Sequence, residues 1–287
     1  MATTTKDYTV EGTDGNEYKV TLTADPSAHV EVASVEPLSG TDPIEPPIEP
    51  PTEPPVEGDI PLDWDHESFD DCSNSGCVTV SNGKAVENKS ITETGHTASI
   101  TMGSGGGKAL SCRVSSREGV RIGGSGNFEI DGCYLEATGQ GDDHADTIQH
   151  YSPGSRGTLT LTNSTIRAHN QAATAGLFCA DNWTGTFDIS NVVFHGGPFG
   201  LRLHPDTGGD NIIRLRDVFF VGPFGYHPYE FGNYGGHRNI FEVWENVRHA
   251  TIDADGNLVP GNAIPKPSST EVHAESMTKE KAVKEMK

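Results

Sequence analysis

The chain has 287 residues, of which 34 are glycine and 18 are proline, and its hydrophobic content is only 33%. This length allows one sizeable domain with appendages, or two domains, and the composition favours an all-β fold with many short strands. The net charge of −21 repels phosphate groups, so we expect neither nucleic acid nor an anionic membrane as a partner.

The first 60 residues predict a small β module followed by a stiff arm. Apolar and polar residues alternate on both sides of the turn-forming sequence at 13–16, which predicts a β-hairpin over 7–24. Two strands cannot bury enough surface to stand alone, so we predict that residues 1–40 form a module that anchors to something else. Repeated Glu-Pro-Pro units within 41–60 predict a polyproline II linker.

The two ends of the chain carry further signals. The N-terminal residues contain no apolar h-region and the chain has no stretch of about 18 apolar residues, so we expect neither a secretory signal nor a membrane span. Residues 263–287 are predicted to be a linker and a short helix, which Thr278 caps and which lysines complement near its C-terminal end.

The five cysteines do not suggest a disulfide framework, because their number is odd and no signal sequence precedes them. Cys112, Cys133 and Cys179 lie in apparent strands and are predicted to be small buried hydrophobic residues. Cys72 and Cys77 are close enough in sequence to close a small loop, and the sequence leaves open whether they are bridged.

A repeat dominates residues 128–247. Five segments start with two apolar residues flanking a polar one, at spacings of 31, 28, 26 and 28, and they begin at Phe128, Leu159, Phe187, Ile213 and Phe241. Most continue through Asn, Gly or Asp, which suit a left-handed corner, into a second apolar pair. Such a period predicts a β-solenoid over 61–262, because one repeat needs neighbours above and below it to bury its inward row.

A third strand in each repeat is predicted by aligning Ile148, Leu177, Leu201 and Tyr226, which the repeated Gly-Pro-Phe-Gly at 197–200 and 222–225 supports. Alternation then directs a set of aromatic, cationic and imidazole residues outward. With their neighbours in the loops, the predicted ligand-binding residues are Gln149, Tyr151, Phe178, Asp181, Trp183, Arg202, His204, His227 and Tyr229.

This exposed ladder has the chemistry of a saccharide groove, since sugars present flat C–H faces and hydroxyl edges. Arg202 could also meet an anionic sugar carboxylate through two hydrogen bonds. The alternative is that the rows of a solenoid face merely stabilise one another. His204 and His227 could share a zinc ion, but the ligand set for that metal is incomplete.

The densest cluster of titratable residues is Asp142, Asp143, His144 and Asp146. One hypothesis is acid/base catalysis, in which two carboxylates flank a glycosidic oxygen. A second is a Ca²⁺ site at Asp142, Asp143 and Asp146, which would be the only cofactor expected. The third is structural: the first two aspartates form an Asx-type turn and Asp146 stabilises a strand corner.

The repeat length, the Asn/Gly/Asp corners and the string His-Ala-Asp-Thr-Ile-Gln at 144–149 together resemble the pectate-lyase-like superfamily of right-handed parallel β-helices. That superfamily includes polysaccharide lyases, glycosidases and bacteriophage tailspike proteins. The resemblance covers roughly residues 72–255 and implies the fold. It implies little about activity, because one fold hosts many functions.

The order of segments suggests a bacteriophage virion protein: a tailspike, a fibre or a capsid-decoration component. Virion proteins are made in the host cytoplasm and need no export signal, and they frequently form trimers. We would then expect residues 1–40 to contact other virion proteins and the β-helix to bind host or environmental carbohydrate at the virion surface. Two alternatives stay open: a polysaccharide lyase or glycoside hydrolase that cleaves bacterial polysaccharide, and a purely structural solenoid.

Overall fold

The computed structural model describes residues 4–11, 17–24, 30–37, 59–95, 98–141, 145–169, 173–180, 182–205, 208–232 and 236–267. The chain divides into two compact units, Met1–Pro54 and Pro55–Lys287, and each is described by itself. The helix predicted at 278–287 lies outside the described residues, as does most of the proline-rich linker. In the described ranges, no helix has the length and apolar character needed to cross a membrane.

The first unit contains a three-stranded antiparallel sheet. Its strands are β1 (Thr4–Glu11), β2 (Glu17–Ala24) and β3 (Val30–Pro37), in that order. β1 and β2 form the hairpin that the alternating sequence predicts. The third strand was not predicted, because a register shift opposite Thr21 and Leu22 breaks the period-two pattern between Val32 and Val35.

The second unit begins with a 3₁₀ turn at Glu67–Phe69 and continues as strands. These are β4 (Ser73–Ser75), β5 (Val78–Val80), β6 (Lys84–Glu87), β7 (Lys89–Glu93), β8 (Ile100–Met102), β9 (Gly107–Leu110), β10 (Arg113–Ser116), β11 (Val120–Gly123), β12 (Gly126–Asp131), β13 (Tyr134–Ala137), β14 (Ile148–Tyr151), β15 (Arg156–Ala168), β16 (Leu177–Cys179), β17 (Thr184–His195), β18 (Phe199–Leu203), β19 (Asn211–Val221), β20 (His227–Phe231), β21 (Asn239–Ile252) and β22 (Leu258–Ala263).

The second unit is all-β with two long parallel sheets. One has seven strands in the order β20-β18-β16-β14-β11-β8-β5, and the other has twelve, with β22-β21-β19-β17-β15-β13-β10-β7-β4 as its main path. Within the described part of this unit, every strand pairing is parallel except that of β21 with β22. Each strand therefore pairs with its counterpart one repeat away, which is consistent with a solenoid.

The predicted alignment of the repeats is confirmed for the first two strands. Phe128 pairs with Leu159, and the same register continues through Phe187, Ile213 and Phe241. The first four of these side chains are at most 1% exposed and belong to a single apolar core. The second apolar row is also confirmed and equally buried: Leu135, Ile166, Phe194 and Phe220.

The long strands of the twelve-stranded sheet turn a corner at residues with a left-handed backbone. The φ angles are 48° at Asn163, 56° at Asn191, 51° at Asp217 and 49° at Asn246. The side chains at these corners also stack: Asn191 Nδ2 donates to Asn163 Oδ1 over 2.8 Å, and Asn246 Nδ2 donates to Asp217 Oδ1 over 2.6 Å. Asparagine suits this position because it tolerates the left-handed backbone and bonds to the next repeat.

The cysteines are all unbridged, so Cys72 and Cys77 do not close a loop. Cys112, Cys133 and Cys179 are fully buried, as predicted. The first two also carry hydrogen bonds between repeats, because the Cys112 N–H donates to Cys133 Sγ over 3.4 Å and the Cys133 N–H donates to Ser164 Oγ over 2.9 Å.

The outer face of the twelve-stranded sheet is partly covered by the segment that enters the unit. Ile60 is 8% exposed and packs with Val193, Phe219, Val221 and Ala250. An apolar cluster on the outside of a sheet would otherwise face water, so this segment completes a second, smaller core. The outward side of the seven-stranded sheet, whose alternate side chains are partly exposed, is named the open face.

The predicted alignment of the third strand is correct for Ile148, Leu177 and Leu201 but wrong for Tyr226. Leu201 pairs with Tyr229, three residues further on. The second Gly-Pro-Phe-Gly is a turn whose Gly225 N–H donates to Gly197 O over 2.9 Å, so the two tetrapeptides are not equivalent in the strands. Tyr229 consequently packs against the core instead of facing outward.

We expect Asn191→Ala to lower the free energy of unfolding by roughly 2–3 kcal/mol, since it loses a hydrogen bond and places a Cβ-bearing residue without a side-chain amide in the left-handed region. Asn191→Gly keeps the backbone freedom and should cost less. Urea unfolding of both variants measures the difference, and equal losses would contradict a conformational role for this corner.

Candidate functional site

The open face of the seven-stranded sheet carries one continuous row of side chains. The outer row consists of paired neighbours on successive strands: Arg121, Gln149, Phe178, Arg202 and Glu230. All five are partly exposed. Neighbouring parallel strands lie ~4.8 Å apart, so the row places aromatic, amide and charged groups close together along the face.

Arg202 is held on several sides. Its Nε donates to Glu230 Oε2 over 2.8 Å, and its guanidinium lies 5.4 Å from the centre of the Phe178 ring and 5.3 Å from that of Phe199. Burial alone would raise the pKa of Glu230, but His204 and Arg202 outweigh it and lower that pKa. The arginine is therefore paired, oriented and stacked without any ligand.

Arg121 is paired in the same way at the other end of the row. Its Nε donates to Glu118 Oε1 over 2.7 Å and its Nη2 donates to Glu118 Oε2, a two-pronged contact. The guanidinium also lies 5.9 Å from the ring centre of Tyr151. Tyr151 is 51% exposed and is paired in the sheet with Gly123, which has no side chain to cover the ring.

A second exposed ring lies further along the face. Tyr226 is 63% exposed and stacks on Phe199, with ring centres 5.3 Å apart and an angle of 25° between the planes. Tyr151 and Tyr226 have the largest exposed fractions of the large apolar side chains in the described ranges. The face thus presents two aromatic platforms with the row of charged and amide groups between them.

The structure places some of the predicted ligand residues on the open face and others elsewhere. Gln149, Tyr151, Phe178 and Arg202 face outward as predicted, and His227 is exposed. Asp181 lies outside the described residues.

Two of the predicted ligand residues, Trp183 and Tyr229, face the core, and His204 is largely buried beside Glu230. Trp183 is fully buried and donates from Nε1 to Gly124 O over 3.0 Å, because it precedes β17 and turns into the core. His204 is only 6% exposed, with its Nε2 3.5 Å from Glu230 Oε1, and Tyr229 faces inward because of the register described above.

Sequence reasoning missed Glu118, Phe199 and Glu230, and it assigned Tyr226 to an inward position. The signal for Glu230 was present, because it follows Arg202 by 28 residues, the spacing of the corrected register. An acidic residue one repeat from a basic one can form an ion pair across neighbouring strands. The alignment on Gly-Pro-Phe-Gly hid this relation.

The acidic cluster is described at Asp146 alone, since Asp142, Asp143 and His144 lie outside the described residues. Asp146 is fully buried, and its Oδ1 accepts a 2.7 Å hydrogen bond from the Ala175 N–H one repeat away. Burial, opposed by the Ala175 N–H, raises the pKa of Asp146 well above its usual value, and the nearby Glu118 raises it further.

His150, which ends the same stretch, belongs to the core. It is fully buried, and its ring centre lies 4.4 Å from that of Trp183 and 5.2 Å from that of Phe187. Burial lowers its pKa to about 3, so the imidazole is neutral at neutral pH.

Another polar cluster lies on the twelve-stranded sheet and is satisfied internally. Glu136 Oε2 accepts hydrogen bonds from the Tyr134 hydroxyl over 3.1 Å, and His169 Nε2 lies 2.7 Å from the same oxygen. Burial would raise the pKa of Glu136, but His169, Ser115 and Tyr134 outweigh it and lower the pKa to about 2. We assign this cluster a structural role.

Within the described ranges, no group of three or more His, Cys, Asp or Glu side chains is arranged to hold a metal ion. The Ca²⁺ site predicted at Asp142, Asp143 and Asp146 falls mostly outside those ranges, so it stays a prediction. The zinc alternative requires His204 and His227 to be neighbours on successive strands. His227 instead pairs with Phe199, five residues before His204, so the two histidines are not neighbours.

Asp146→Ala should lower the free energy of unfolding by about 1–3 kcal/mol, because the buried Ala175 N–H loses its acceptor. Asp146→Asn keeps an acceptor oxygen and should be more stable than the wild type at neutral pH. The pKa of Asp146 is higher in the folded state than in the unfolded state. Its contribution to the free energy of unfolding is therefore complete below the unfolded pKa near 3.8, and it is lost as the pH rises through the folded pKa. Urea titrations at several pH values measure this; an unchanged stability of the alanine variant would contradict the structural role.

The His150→Leu variant should lose less stability than the wild type when the pH falls. With a folded pKa of about 3 against an ordinary 6.5, the wild type should lose roughly 1.4 kcal/mol per pH unit as the pH falls below 6.5. Urea midpoints from pH 7 downward test the slope, with exposed His227→Gln as the control. Equal slopes in the wild type and His150→Leu would contradict the assignment.

Comparisons with known proteins identify no relative of this chain. No protein-family model matches it, and searches of the curated proteins and of the solved structures give no match either. The open face is therefore the basis of the proposed function.

Proposed function

We propose that this protein binds carbohydrate on the open face of a right-handed parallel β-helix of the pectate-lyase-like type. Parallel pairing of each strand with its counterpart in the next repeat supports the helix, as do the left-handed Asn and Asp corners. The binding function goes beyond the fold and depends on the side chains of the face.

One observation carries the proposal: two exposed tyrosines flank a row of partly exposed amide and charged groups on the open face. Tyrosine exposes a flat apolar ring at little cost in side-chain entropy, and such rings pack against the C–H faces of sugars. Gln149 and the paired Arg202 and Glu230 provide hydrogen-bond donors and acceptors for hydroxyl groups. Exposed aromatic rings beside oriented polar groups are typical of ligand sites.

The proposed setting is a bacteriophage virion, in which the protein would be a tailspike, fibre or decoration component, most simply a trimer. The order of segments supports it: a small β module, a proline-rich arm and then a β body. Antibodies against the chain should label purified virions of the phage that encodes it, and the absence of the chain from those particles would sink this part of the proposal.

Cleavage of a polysaccharide is a second candidate, and Asp146 is the observation in its favour. A buried carboxyl with a raised pKa beside Glu118 is the kind of pair that can serve as an acid. Its complete burial favours binding over turnover, because a general acid must reach the glycosidic oxygen. Reducing ends and the ultraviolet absorbance of unsaturated products, measured on several bacterial polysaccharides, separate the two functions.

A glycan array with the full chain tests binding, and Tyr226→Ala and Tyr151→Ala test the face. Each variant should weaken the binding of an array hit by about two- to tenfold, since stacking of one ring is worth ~0.5–1.5 kcal/mol. Both rings are exposed, so thermal unfolding should hardly change.

Val259→Ala is the matched control, because Val259 is a 43% exposed apolar residue on β22 of the other sheet. If the control weakened binding as much as the tyrosine variants, the open face would not be the binding surface. An array with no hit would count against carbohydrate binding altogether.

A further inference from the structure

We propose that the saccharide bound by the outer row is uncharged, and that it is an oligosaccharide lying obliquely across several strands. This inference rests on the proposed function and names its ligand class. It separates the face from one built to recognise uronate or other acidic sugars, which the sequence alone left open through Arg202.

Both arginines of the row are already paired with a glutamate. Arg202 Nε binds Glu230 and Arg121 binds Glu118 through two hydrogen bonds. Each guanidinium keeps further N–H groups, but a sugar carboxylate bound there would lie close to the glutamate that already neutralises the arginine. Removing that glutamate from the arginine is costly, because the Glu230 and Glu118 side chains are only 15% and 4% exposed and would stay largely buried without a partner.

The charges on the open face are balanced. Arg202 is paired with Glu230 and Arg121 with Glu118, so these groups carry no excess positive charge to attract an anion. The chain as a whole carries −21, which repels an acidic polymer at distances up to about a Debye length, ~8–10 Å. A neutral sugar meets neither penalty, and its hydroxyl groups can bond to the outward edges of the paired groups.

The two aromatic platforms are further apart than the length of one sugar ring. Tyr151 lies on β14 and Phe199, which stacks under Tyr226, lies on β18, two strand spacings or ~10 Å away. Ile148 is level with Leu201 in the register, so Phe199 is also displaced from Tyr151 by five residues, or ~16 Å, along the strands. Phe178 and Arg202 lie between these two levels, so an oligosaccharide of several units running obliquely over the sheet would meet all of them.

Matched pairs of oligosaccharides test the inference by isothermal titration calorimetry with the full chain. The probes are neutral hexose oligomers and the same oligomers with carboxylates in place of their C6 hydroxymethyl groups, at low and high salt. Neutral members should bind at least about tenfold more tightly at low salt, with little dependence on salt for their own affinity. Tighter binding of the uronates would overturn the inference and leave carbohydrate binding intact; no binding by any probe would overturn both.

Glu230→Gln provides an internal test, because it frees Arg202 to meet an anion. The affinity for the uronate probes should rise by about tenfold, in line with a charge-assisted hydrogen bond of ~1.5–3 kcal/mol partly offset by solvent. Glu245→Gln is the matched control, since Glu245 is 70% exposed beside Arg216 on the twelve-stranded sheet.

Glu118→Gln is the second variant if Glu230→Gln does not fold, as judged by its circular dichroism and cooperative melting. An unchanged uronate affinity in a folded variant, or an equal rise in Glu245→Gln, would overturn the role of the arginine–glutamate pairs.

Discussion

The second unit depends on one constraint: a repeat can bury its inward side chains only against the repeats on either side. Three short strands in fewer than about 35 residues have too little apolar surface to form a core alone. Parallel pairing supplies the missing neighbours, and the inward rows from Phe128 to Ile213 and from Leu135 to Phe220 merge into one core. The left-handed Asn and Asp corners keep these rows aligned, since each corner turns the chain at the same point in its repeat.

The register that stacks the core also places charges on the outside. Arg202 with Glu230, Arg214 with Glu242 and Arg216 with Asp188 all pair across 28 residues, one repeat apart. Each exposed pair adds little stability by itself. Together they leave few guanidinium groups available to an incoming anion. The register that packs the core therefore also limits the recognition of anions on the outer surface.

The two outer faces have different roles because of the entry segment. Ile60 covers apolar residues on the twelve-stranded sheet, including Phe219. The seven-stranded sheet has no such cover among the described residues, and its exposed tyrosines meet solvent. We therefore place the binding function on this sheet, and the proposed preference for neutral sugars follows from the pairing of its arginines.

The sequence alone determined the class of fold, the position of the repeats, the left-handed corners and the burial of Cys112, Cys133 and Cys179, because period and turn chemistry are local properties of the chain. It also predicted that Gln149, Phe178 and Arg202 lie on one outer face. Only the tertiary structure decided the partners. A shift of three residues between Tyr226 and Tyr229 changed which side chains face outward, and a repeated tetrapeptide could not reveal it.

Burial was likewise decided in three dimensions. Sequence reasoning offers Asp146 as a catalytic residue and Trp183 as a ligand-binding residue, yet both are fully buried. The groups that cover them lie far away in the chain: Asp146 accepts from the Ala175 N–H 29 residues on, and Trp183 donates to Gly124 O 59 residues earlier. Asp146 and His150 of the stretch 141–150 are therefore part of the core, while Gln149 of the same stretch belongs to the outer row that, as we propose, binds a ligand.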